Sequence, residues 1–167
     1  MTSVRLRPLR SDDAQWIFRA CQDPEIQRWT LVPRPYALDH ARSFVETRAG
    51  ELMAFAIEDE AQRESHGLIS IHGIDPVSKI ADIGYWVAPW SRGRGIGSLA
   101  VQSLIDIARN ETDAEFLSAK IASENLVSQS VVIRAGFTLS GQQYGPATVD
   151  LQPVPTVVFN YAFADRG

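Results

Sequence analysis

The sequence is poor in cysteine and histidine: it contains one cysteine, Cys21, and three histidines, His40, His66 and His72. A single cysteine excludes a disulfide within the chain and a metal site built from several thiolates. The histidines lack the close helical spacing of zinc proteases and have no acidic cluster beside them, so we expect no metal. Scarce cysteine is also typical of a reducing compartment, which predicts a cytoplasmic location.

Positive charge and long apolar runs are scarce as well. The 16 lysines and arginines are outnumbered by 20 aspartates and glutamates, which gives a formal net charge of -4. The chain therefore lacks the concentrated positive charge on which non-specific nucleic-acid binding depends. No apolar run approaches the roughly 20 residues that cross a bilayer, and residues 1–5 do not lead into the core of a signal peptide. We expect neither a nucleic acid nor a membrane as a partner.

Low-complexity tracts and linkers rich in glycine, serine or proline are also absent. The 167 residues have the usual length of one domain, and their 45% hydrophobic content is typical of a globular chain. We therefore predict a single domain over residues 1–167, present as a monomer or a homodimer.

Hydrophobic periodicity predicts a mixed α/β chain with a largely antiparallel first half. Alternating apolar residues at 4–9 predict a strand. Ser11 is the expected N-cap of a first helix, which Asp23 and Pro24 would end. A second helix is expected over residues 38–49, where apolar residues recur at helical spacing.

The remainder of the chain begins with three extended runs joined by short polar connections, which predict an antiparallel meander. Apolar residues at i, i+3, i+4 and i+7 then predict a long helix. The predicted elements are strands at 52–58, 66–74 and 79–87, a long helix at 96–108, a strand at 116–121, a helix at 125–136 and a strand at 157–163.

A glycine-rich segment joins the strand that ends at Val87 to the long helix, and we call it the glycine loop: Arg92-Gly93-Arg94-Gly95-Ile96-Gly97-Ser98. Glycine at every second position removes side chains and permits positive φ, so successive N–H groups can point at one anion. The N-terminus of the following helix adds its positive end at the same place. This arrangement suits a pyrophosphate.

Other phosphate-binding motifs fit the glycine loop less well. A P-loop ends in Gly-Lys-Ser/Thr, whereas Gly95 is followed by Ile96 and Gly97 by Ser98. A dinucleotide fingerprint would place its third glycine at Ser98 and would open a βαβ unit, which disfavours a nicotinamide-dependent oxidoreductase. A turn without a ligand is the remaining alternative, and the two arginines of the loop would then be ordinary solvated charges.

The spacing Arg92-x-x-Gly95-x-Gly97 resembles the pyrophosphate loop, Gln/Arg-x-x-Gly-x-Gly/Ala, of the GNAT superfamily of acetyl-coenzyme A-dependent N-acyltransferases. Further segments that match in order are Leu6-Arg7-Pro8-Leu9, Asp23-Pro24-Glu25-Ile26, Ile83-Gly84-Tyr85-Trp86-Val87, Asn125-x-x-Ser128 and Ala135-Gly136-Phe137. Together they are similar to the branch that includes the Rim-type ribosomal-protein N-terminal acetyltransferases. The resemblance implies a GNAT-type fold, with a central, mixed and mostly antiparallel sheet flanked by helices in the order β-α-α-β-β-β-α-β-α-β-β.

The resemblance also implies acetyl-coenzyme A as the acyl donor. The backbone of Val87 would contact the pantetheine arm and the developing oxyanion, and the backbone of the glycine loop would contact the pyrophosphate. Asn125 would bond the pantetheine, although a helix cap explains its position equally well. The predicted cofactor-binding residues are Val87, Arg92, Gly93, Arg94, Gly95, Ile96, Gly97, Ser98 and Asn125.

Attack on a thioester requires a neutral amine, so the site needs a proton acceptor and a proton for the departing thiolate. Asp82 is the predicted proton acceptor, directly or through water, and an exposed strand charge is the alternative interpretation. Many GNAT members carry a tyrosine seven residues after the position of Asn125, and here that residue is Val132. Ser128 is the predicted general acid in its place, with Tyr144 as a further candidate, although a helical serine can equally bond its own backbone.

Three aromatic residues are predicted to contact the acceptor. By resemblance, Trp29 and Tyr36 lie in a region that forms one wall of the acceptor site, although aromatic residues there can also be core. Trp86 shares a strand face with Asp82 and is predicted to line the same site.

Two functions agree with these features. The first is an N-acetyltransferase that moves an acetyl group directly, in a ternary complex, to the primary amine of a peptide or protein N-terminus or of a small molecule. Cys21 lies on the apolar face of the first helix, which predicts a buried small hydrophobe rather than an acyl-cysteine intermediate. The alternative is a non-catalytic acyl-coenzyme A-binding sensor or interaction module, which the valine at position 132 keeps open.

Overall fold

A central sheet of seven strands organises the computed structural model, which describes residues 2–164. Its strands are β1 (Val4–Pro8), β2 (Met53–Asp59), β3 (Ser65–Ile74), β4 (Ile80–Val87), β5 (Phe116–Ala122), β6 (Thr138–Val149) and β7 (Gln152–Ala162). The helices are α1 (Asp13–Ala20), α2 (Pro24–Trp29), α3 (Leu38–Thr47), α4 (Ile96–Glu111) and α5 (Leu126–Arg134). A 3₁₀ turn, Pro89–Ser91, follows β4.

The strands follow the order β1-β2-β3-β4-β5-β7-β6 across the sheet. β1 to β4 form an antiparallel meander, β4 and β5 pair in parallel, and β7 is antiparallel to both β5 and β6. The parallel pair arises because α4 carries the chain from the end of β4 back to the start of β5. The predicted mixed and mostly antiparallel sheet flanked by helices is confirmed.

Alternation along β4 separates two hydrophobic cores. Ala81 and Ile83 point to the side of the sheet that α4 covers. Trp86 points to the opposite side, where it packs with residues of α1 and α3. Because side chains alternate along a strand, Asp82 and Gly84 lie on the same side as Trp86. We call this surface of β4, formed by Asp82, Gly84 and Trp86, the Asp82 face.

The start of α1 differs from the prediction. Ser11 does not cap the helix, because Asp12 occupies the N-cap position and makes no side-chain capping bond. Asp13, the first helical residue, instead accepts a hydrogen bond of 2.6 Å from the N–H of Arg10. Its buried carboxylate also pairs with the guanidinium of Arg7, so the start of α1 is fixed by a tertiary ion pair.

Asp23 and Pro24 start a helix that the prediction omits. α1 ends at Ala20, before this pair, as expected. Asp23 then accepts a hydrogen bond of 3.0 Å from the N–H of Ile26 and so caps α2. Pro24 occupies the first helical position, where a missing N–H costs nothing. The same two residues therefore separate two helices rather than only ending one.

The strand β6 is the element that hydrophobic periodicity does not locate. It contains Gly141, Gly145 and Pro146, residues that weaken the sequence pattern of a strand. Pairing with β7, from Thr138 opposite Asn160 onward, holds it in the sheet.

Among the helices of residues 2–164, none has the length and apolar character needed to cross a membrane.

Candidate active site

The strands β4 and β5 part halfway along their length. They pair in parallel from Ile80 opposite Phe116 to Ile83 opposite Ala119. The ladder stops there within the described chain, although β4 continues to Val87 and β5 continues through residues 120–122. We call the space between residues 84–87 and residues 120–122 the strand gap. A strand edge of this kind can bind a peptide-like ligand through its backbone groups.

The register of β3 and β4 shows which backbone groups face the strand gap. The N–H of Ala88 donates a hydrogen bond of 2.7 Å to the carbonyl of His66, across the β3 side. In an antiparallel pair every second residue bonds to the neighbouring strand, so Trp86 and Gly84 also point their backbone groups to β3. The N–H and C=O of Val87 therefore point to the other side, toward the strand gap. This orientation suits the predicted role of Val87 in binding pantetheine and an oxyanion.

The glycine loop lies at the end of β4 where the strand gap opens. Gly93 and Gly95 have φ of 74° and 73°, in the left-handed region that favours glycine. A Cβ added at either position would meet open space, so the loop presents bare backbone on that side. These two glycines therefore use the conformational freedom that the glycine spacing provides.

The N-terminus of α4 begins within the glycine loop. Gly95 is the N-cap, and the N–H of Leu99 donates to its carbonyl at 3.2 Å. The N–H groups of residues 96–98 precede this first helical bond and therefore have no acceptor within the helix. Together with the dipole of a 16-residue helix, they form a binding site for an anion.

Gly97 is needed for packing rather than for a positive φ. It is the second residue of α4, and a Cβ added to it would lie 3.2 Å from Cγ1 of Val131 on α5. The same Cβ would lie 3.6 Å from Cγ2 of Val87. The absent side chain lets α4 approach both α5 and the end of β4, which brings the helix N-terminus to the strand gap.

The two arginines of the glycine loop lie in different environments. The guanidinium of Arg92 donates hydrogen bonds to both oxygens of Asp23, the residue that caps α2. Burial raises the pKa of Asp23, but the hydrogen bond from Arg92 contributes to a net pKa below the usual value. Arg92 therefore anchors the loop to α2, whereas Arg94 is exposed beside the left-handed glycines and can attract an anion.

Asp82 forms an ion pair on its face of β4. Its Oδ2 lies 2.8 Å from Nζ of Lys120 on β5, and both side chains are partly exposed. Its Oδ1 is buried without a hydrogen-bond partner among the residues that the structure describes. The carboxylate is thus held at the point where β4 and β5 part, with one oxygen paired to Lys120 and the other buried.

Asn125 and Ser128 lie on the opposite side of β4. Oδ1 of Asn125 accepts a hydrogen bond of 3.1 Å from the N–H of Ser128, so Asn125 caps α5 and its amide nitrogen is left for other contacts. The hydroxyl of Tyr85 lies 2.8 Å from both the carbonyl oxygen and Oγ of Ser128. Since Tyr85 donates its one proton to the carbonyl, the hydroxyl of Ser128 donates to Tyr85.

Tyr85 is a candidate site residue that the sequence analysis did not single out. Burial raises its pKa, and the hydrogen bond with Ser128 only partly offsets this effect. Val132, at the position where the family resemblance led us to look for a tyrosine, is fully buried in the core. The sequence did contain a signal for Tyr85. Side chains alternate along the segment Ile83-Gly84-Tyr85-Trp86-Val87, so Tyr85 points away from the Asp82 face and toward α5.

The three aromatic residues that were predicted to contact the acceptor differ in their solvent exposure. Tyr36 is 7% exposed and belongs to the core beside α1, which is the alternative that the sequence analysis left open. Trp29 is partly exposed, and its Nε1–H donates to Glu25 at 2.9 Å. Trp86 is also partly exposed, with its ring centroid 5.9 Å from that of Trp16. Trp29 and Trp86 are therefore more accessible to a ligand than Tyr36.

Cys21 behaves as the sequence analysis predicts. Its thiol is buried at 1% exposure, and burial raises its pKa to about 12. A thiol in this environment stays protonated near neutral pH and is a poor nucleophile.

Within residues 2–164, histidine, cysteine and acidic side chains form no group of three or more that could hold a metal ion.

A family model described as an acetyltransferase (GNAT) domain matches residues 3–138. A ribosomal-protein-serine acetyltransferase of Escherichia coli (strain K12) is 37% identical over 75 residues, which is 45% of this chain and 42% of that protein. The match therefore spans less than half the length of this curated relative.

Solved structures show the same fold over almost the whole chain. RimJ of Mycobacterium smegmatis, in complex with CoA-disulfide, superposes with a TM-score of 0.83 at 25% identity, over 95% of this chain and 81% of that one. A spermidine N-acetyltransferase of Vibrio cholerae, in complex with CoA and spermine, has a TM-score of 0.79 at 18% identity, over 96% and 95% of the two chains. At 18% identity, the similarity to the spermidine N-acetyltransferase shows only a shared fold.

Proposed function

Because the chain belongs to the GNAT acetyltransferase family, we propose that it transfers the acetyl group of acetyl-coenzyme A to a primary amine. One observation carries the proposal: the strand gap, the bare glycine loop and the N-terminus of α4 meet at one end of β4. A ligand with a peptide-like arm and a pyrophosphate fits this combination, since the arm can pair with a strand edge and the pyrophosphate with N–H donors.

The donor would lie along β4 with its thioester near Val87. The pyrophosphate would accept hydrogen bonds from the N–H groups of residues 96–98, with Arg94 adding charge. The pantetheine arm would enter the strand gap and bond the backbone of Val87 and the amide of Asn125. The thioester carbonyl would then point to the N–H of Val87, which would stabilise the oxyanion that forms during attack.

The reaction would proceed by direct attack of the acceptor amine on the thioester. The nitrogen forms a bond to the carbonyl carbon, the C–S bond breaks, the amine loses a proton, and the thiolate of coenzyme A gains one. Ser128 is the proposed proton donor to the thiolate, since Val132 is a buried apolar residue. Its hydroxyl, which donates to Tyr85 in the structure, would turn to the thiolate and then regain a proton from water. Cys21 is buried and protonated, which favours direct transfer over an acyl-cysteine intermediate.

We propose that the acceptor is the α-amine of a protein or peptide. The similarity to a ribosomal-protein-serine acetyltransferase supports this class, although it covers less than half of that relative. The acceptor would approach from the Asp82 face, where the partly exposed Trp29 and Trp86 can contact it and the carboxylate of Asp82 can attract its ammonium group. A protein of this class with a lone, buried Cys21 would work in the cytoplasm.

The non-catalytic alternative, a coenzyme A-binding module, is favoured only by the valine at position 132. A panel of amines separates the two functions: short peptides that begin with serine, alanine, threonine or methionine, and spermidine. We expect release of coenzyme A from acetyl-coenzyme A with at least one peptide, at a rate that depends on peptide concentration. If acetyl-coenzyme A binds but no amine accelerates release, the chain is a binding module.

A further inference from the structure

His72 is the extra residue of a β-bulge in β3. Ile71 lies opposite Ile83 of β4, but Gly73 lies opposite Asp82, so His72 has no partner of its own in the ladder. Bulges bend a strand locally and redirect side chains, and they are frequent next to active sites. The bulge lies beside Ile83, the last residue of β4 that pairs with β5. His72 is thus placed where the strand gap begins.

The imidazole of His72 rests directly on Gly84. A Cβ added to Gly84 would lie 2.5 Å from Nε2 of His72 and 2.7 Å from its Cε1. These distances are shorter than van der Waals contact, so the ring occupies the space that any other residue at position 84 would fill. Because Gly84 belongs to the Asp82 face, Nε2 is held on that face at the first residue of the strand gap.

The other ring nitrogen of His72 is bound to a carboxylate. Nδ1 lies 2.6 Å from Oε2 of Glu51, whose side chain is only 15% exposed, whereas the side chain of His72 is 48% exposed. A carboxylate on Nδ1 fixes the orientation of the ring and leaves Nε2 to exchange a proton. An imidazole oriented by a third group in this way is the usual form of a general base in acyl transfer.

We propose that His72 takes the proton from the acceptor amine, with Glu51 as its positioning residue. The inference rests on the proposed acetyl transfer and assigns the proton acceptor of that reaction. The N–H proton of the amine moves to Nε2 while the nitrogen bonds to the carbonyl carbon. The imidazolium then returns the proton to water, and the thiolate is protonated on the Ser128 side of β4.

Asp82 is less suited to this step than His72. Oδ2 of Asp82 is already paired with Lys120. The imidazole of an ordinary histidine has a pKa of about 6.5, close to neutral pH. Proton transfer is most efficient when the base titrates near the working pH. Asp82 therefore attracts the ammonium form of the acceptor. That form loses one proton to water to give the neutral amine, and His72 takes the second proton while the amine attacks.

Three charged groups act on the imidazole: Glu51, Asp82 and Lys120. The hydrogen bond with Glu51 raises the pKa of His72 above its usual value, burial opposes this, and the charges of Asp82 and Lys120 act in opposite directions. Neutral imidazole is the base, so kcat/KM should rise with pH through the pKa of His72. Removal of the Glu51 charge lowers that pKa and should move the rise to lower pH.

The test compares His72→Gln and Glu51→Gln with His40→Gln, a matched control on the exposed side of α3. The assay is coenzyme A release with a peptide that begins with serine, or with whichever peptide of the panel the wild type accepts. His72→Gln should lower kcat/KM by about 100-fold or more, while the Kd for acetyl-coenzyme A stays within about twofold. Glu51→Gln should remain active, and its kcat/KM should rise at a lower pH than that of the wild type. His40→Gln should behave as the wild type.

A His72→Gln variant that is folded and keeps more than half of the wild-type kcat/KM would overturn the proposal. A Glu51→Gln variant whose kcat/KM rises at the same pH as that of the wild type would also overturn it. If His72→Gln fails to fold, NMR titration of His72 in the wild type decides, because its pKa must coincide with the kinetic one. These outcomes require an active wild type. A wild type that is inactive with every amine would overturn the proposed function as well, so the two failures are distinguishable.

Discussion

The hydroxyl of Tyr85 lies 2.8 Å from Oγ of Ser128, which joins β4 to the first turn of α5. The contact places a chain of two hydroxyl groups at the strand gap, on the side of β4 opposite the Asp82 face. Because Val132 is fully buried, Ser128 of this pair is our proposed proton donor to the departing thiolate.

Ser128→Ala should therefore reduce kcat, because the thiolate loses its proton donor. We expect a decrease of about 100-fold in kcat with little change in the KM for acetyl-coenzyme A. The decrease should shrink with acetyl esters of thiols that have a lower pKa, since these leave without a proton. Steady-state kinetics with the two kinds of donor checks this prediction.

Tyr85→Phe is the partner experiment. It removes the hydroxyl that accepts from Ser128 but retains the ring that packs against the core. We expect a smaller decrease in kcat than for Ser128→Ala, because the serine can still donate to the thiolate. Equal and full activity of both variants would show that the proton reaches coenzyme A from water instead.

Gly95→Val should abolish tight binding of acetyl-coenzyme A. Gly95 has φ of 73°, which strains any other residue by roughly 1 kcal/mol or more, and a side chain there would cover the N–H groups of residues 96–98. Gly50→Val is the matched control, because Gly50 has φ of 82° with open space around it and lies in the turn between α3 and β2. Calorimetric titration should show a large loss of affinity only for Gly95→Val.

Both glycine variants should lose similar stability, so a difference in affinity cannot come from unfolding. Equal affinity for acetyl-coenzyme A in Gly95→Val, Gly50→Val and the wild type would remove the glycine loop from the binding site.

Gly97→Val should lower the free energy of unfolding by about 1–3 kcal/mol, the usual cost of overfilling a packed contact. The new side chain would begin 3.2 Å from Val131 and force α4 away from α5. Gly141→Val on β6 is the control, because a Cβ there meets nothing within 4 Å. Urea denaturation of the three proteins measures the difference, and an unchanged midpoint in Gly97→Val would contradict the packing role.

The ion network of Arg7 should make stability depend on pH. Arg7 is 8% exposed and pairs with Asp13 and Glu58, which are 2% and 3% exposed. Burial raises the pKa of Asp13, but hydrogen bonds from Arg7, Trp16 and the N–H of Arg10 outweigh this and leave it below the usual value. The contribution of Asp13 is therefore complete above the unfolded pKa of about 3.9 and is lost as pH falls below it.

Asp13→Asn should cost about 3 kcal/mol at neutral pH, because it leaves the buried Arg7 with one anion instead of two. The difference from the wild type should narrow as the pH falls below about 4. Urea denaturation at several pH values checks this, and a constant difference down to acidic pH would contradict the charge-based explanation.

The local elements of the fold could be predicted from the sequence, because they depend on short-range pattern. Alternation placed Asp82 and Trp86 together on one face of a strand, and the glycine spacing indicated a loop in which positive φ is permitted, as Gly93 and Gly95 adopt it. The start of α2 was missed because a Pro after a cap residue can follow one helix and begin the next, as Asp23 does here.

Contacts between distant segments could not be predicted. Arg92 and Asp23 are 69 residues apart in the chain, and Lys120 and Asp82 are 38 apart, so nothing local in the sequence indicates either ion pair. An aromatic residue between helices, such as Tyr36, gives the same sequence pattern whether it is buried or exposed. A bulge adds one residue without a distinctive composition, so the position of His72 over Gly84 emerges only in the folded sheet.

The transfer itself is the central claim, and mass spectrometry of the product tests it most directly. Acetyl-coenzyme A with a deuterated acetyl group is incubated with the purified protein and a peptide that begins with serine. We predict a peptide that carries one deuterated acetyl group on its α-amine, with coenzyme A in equal amount. Bound but unreacted acetyl-coenzyme A, with unmodified peptide and with no other amine acetylated, would contradict the account.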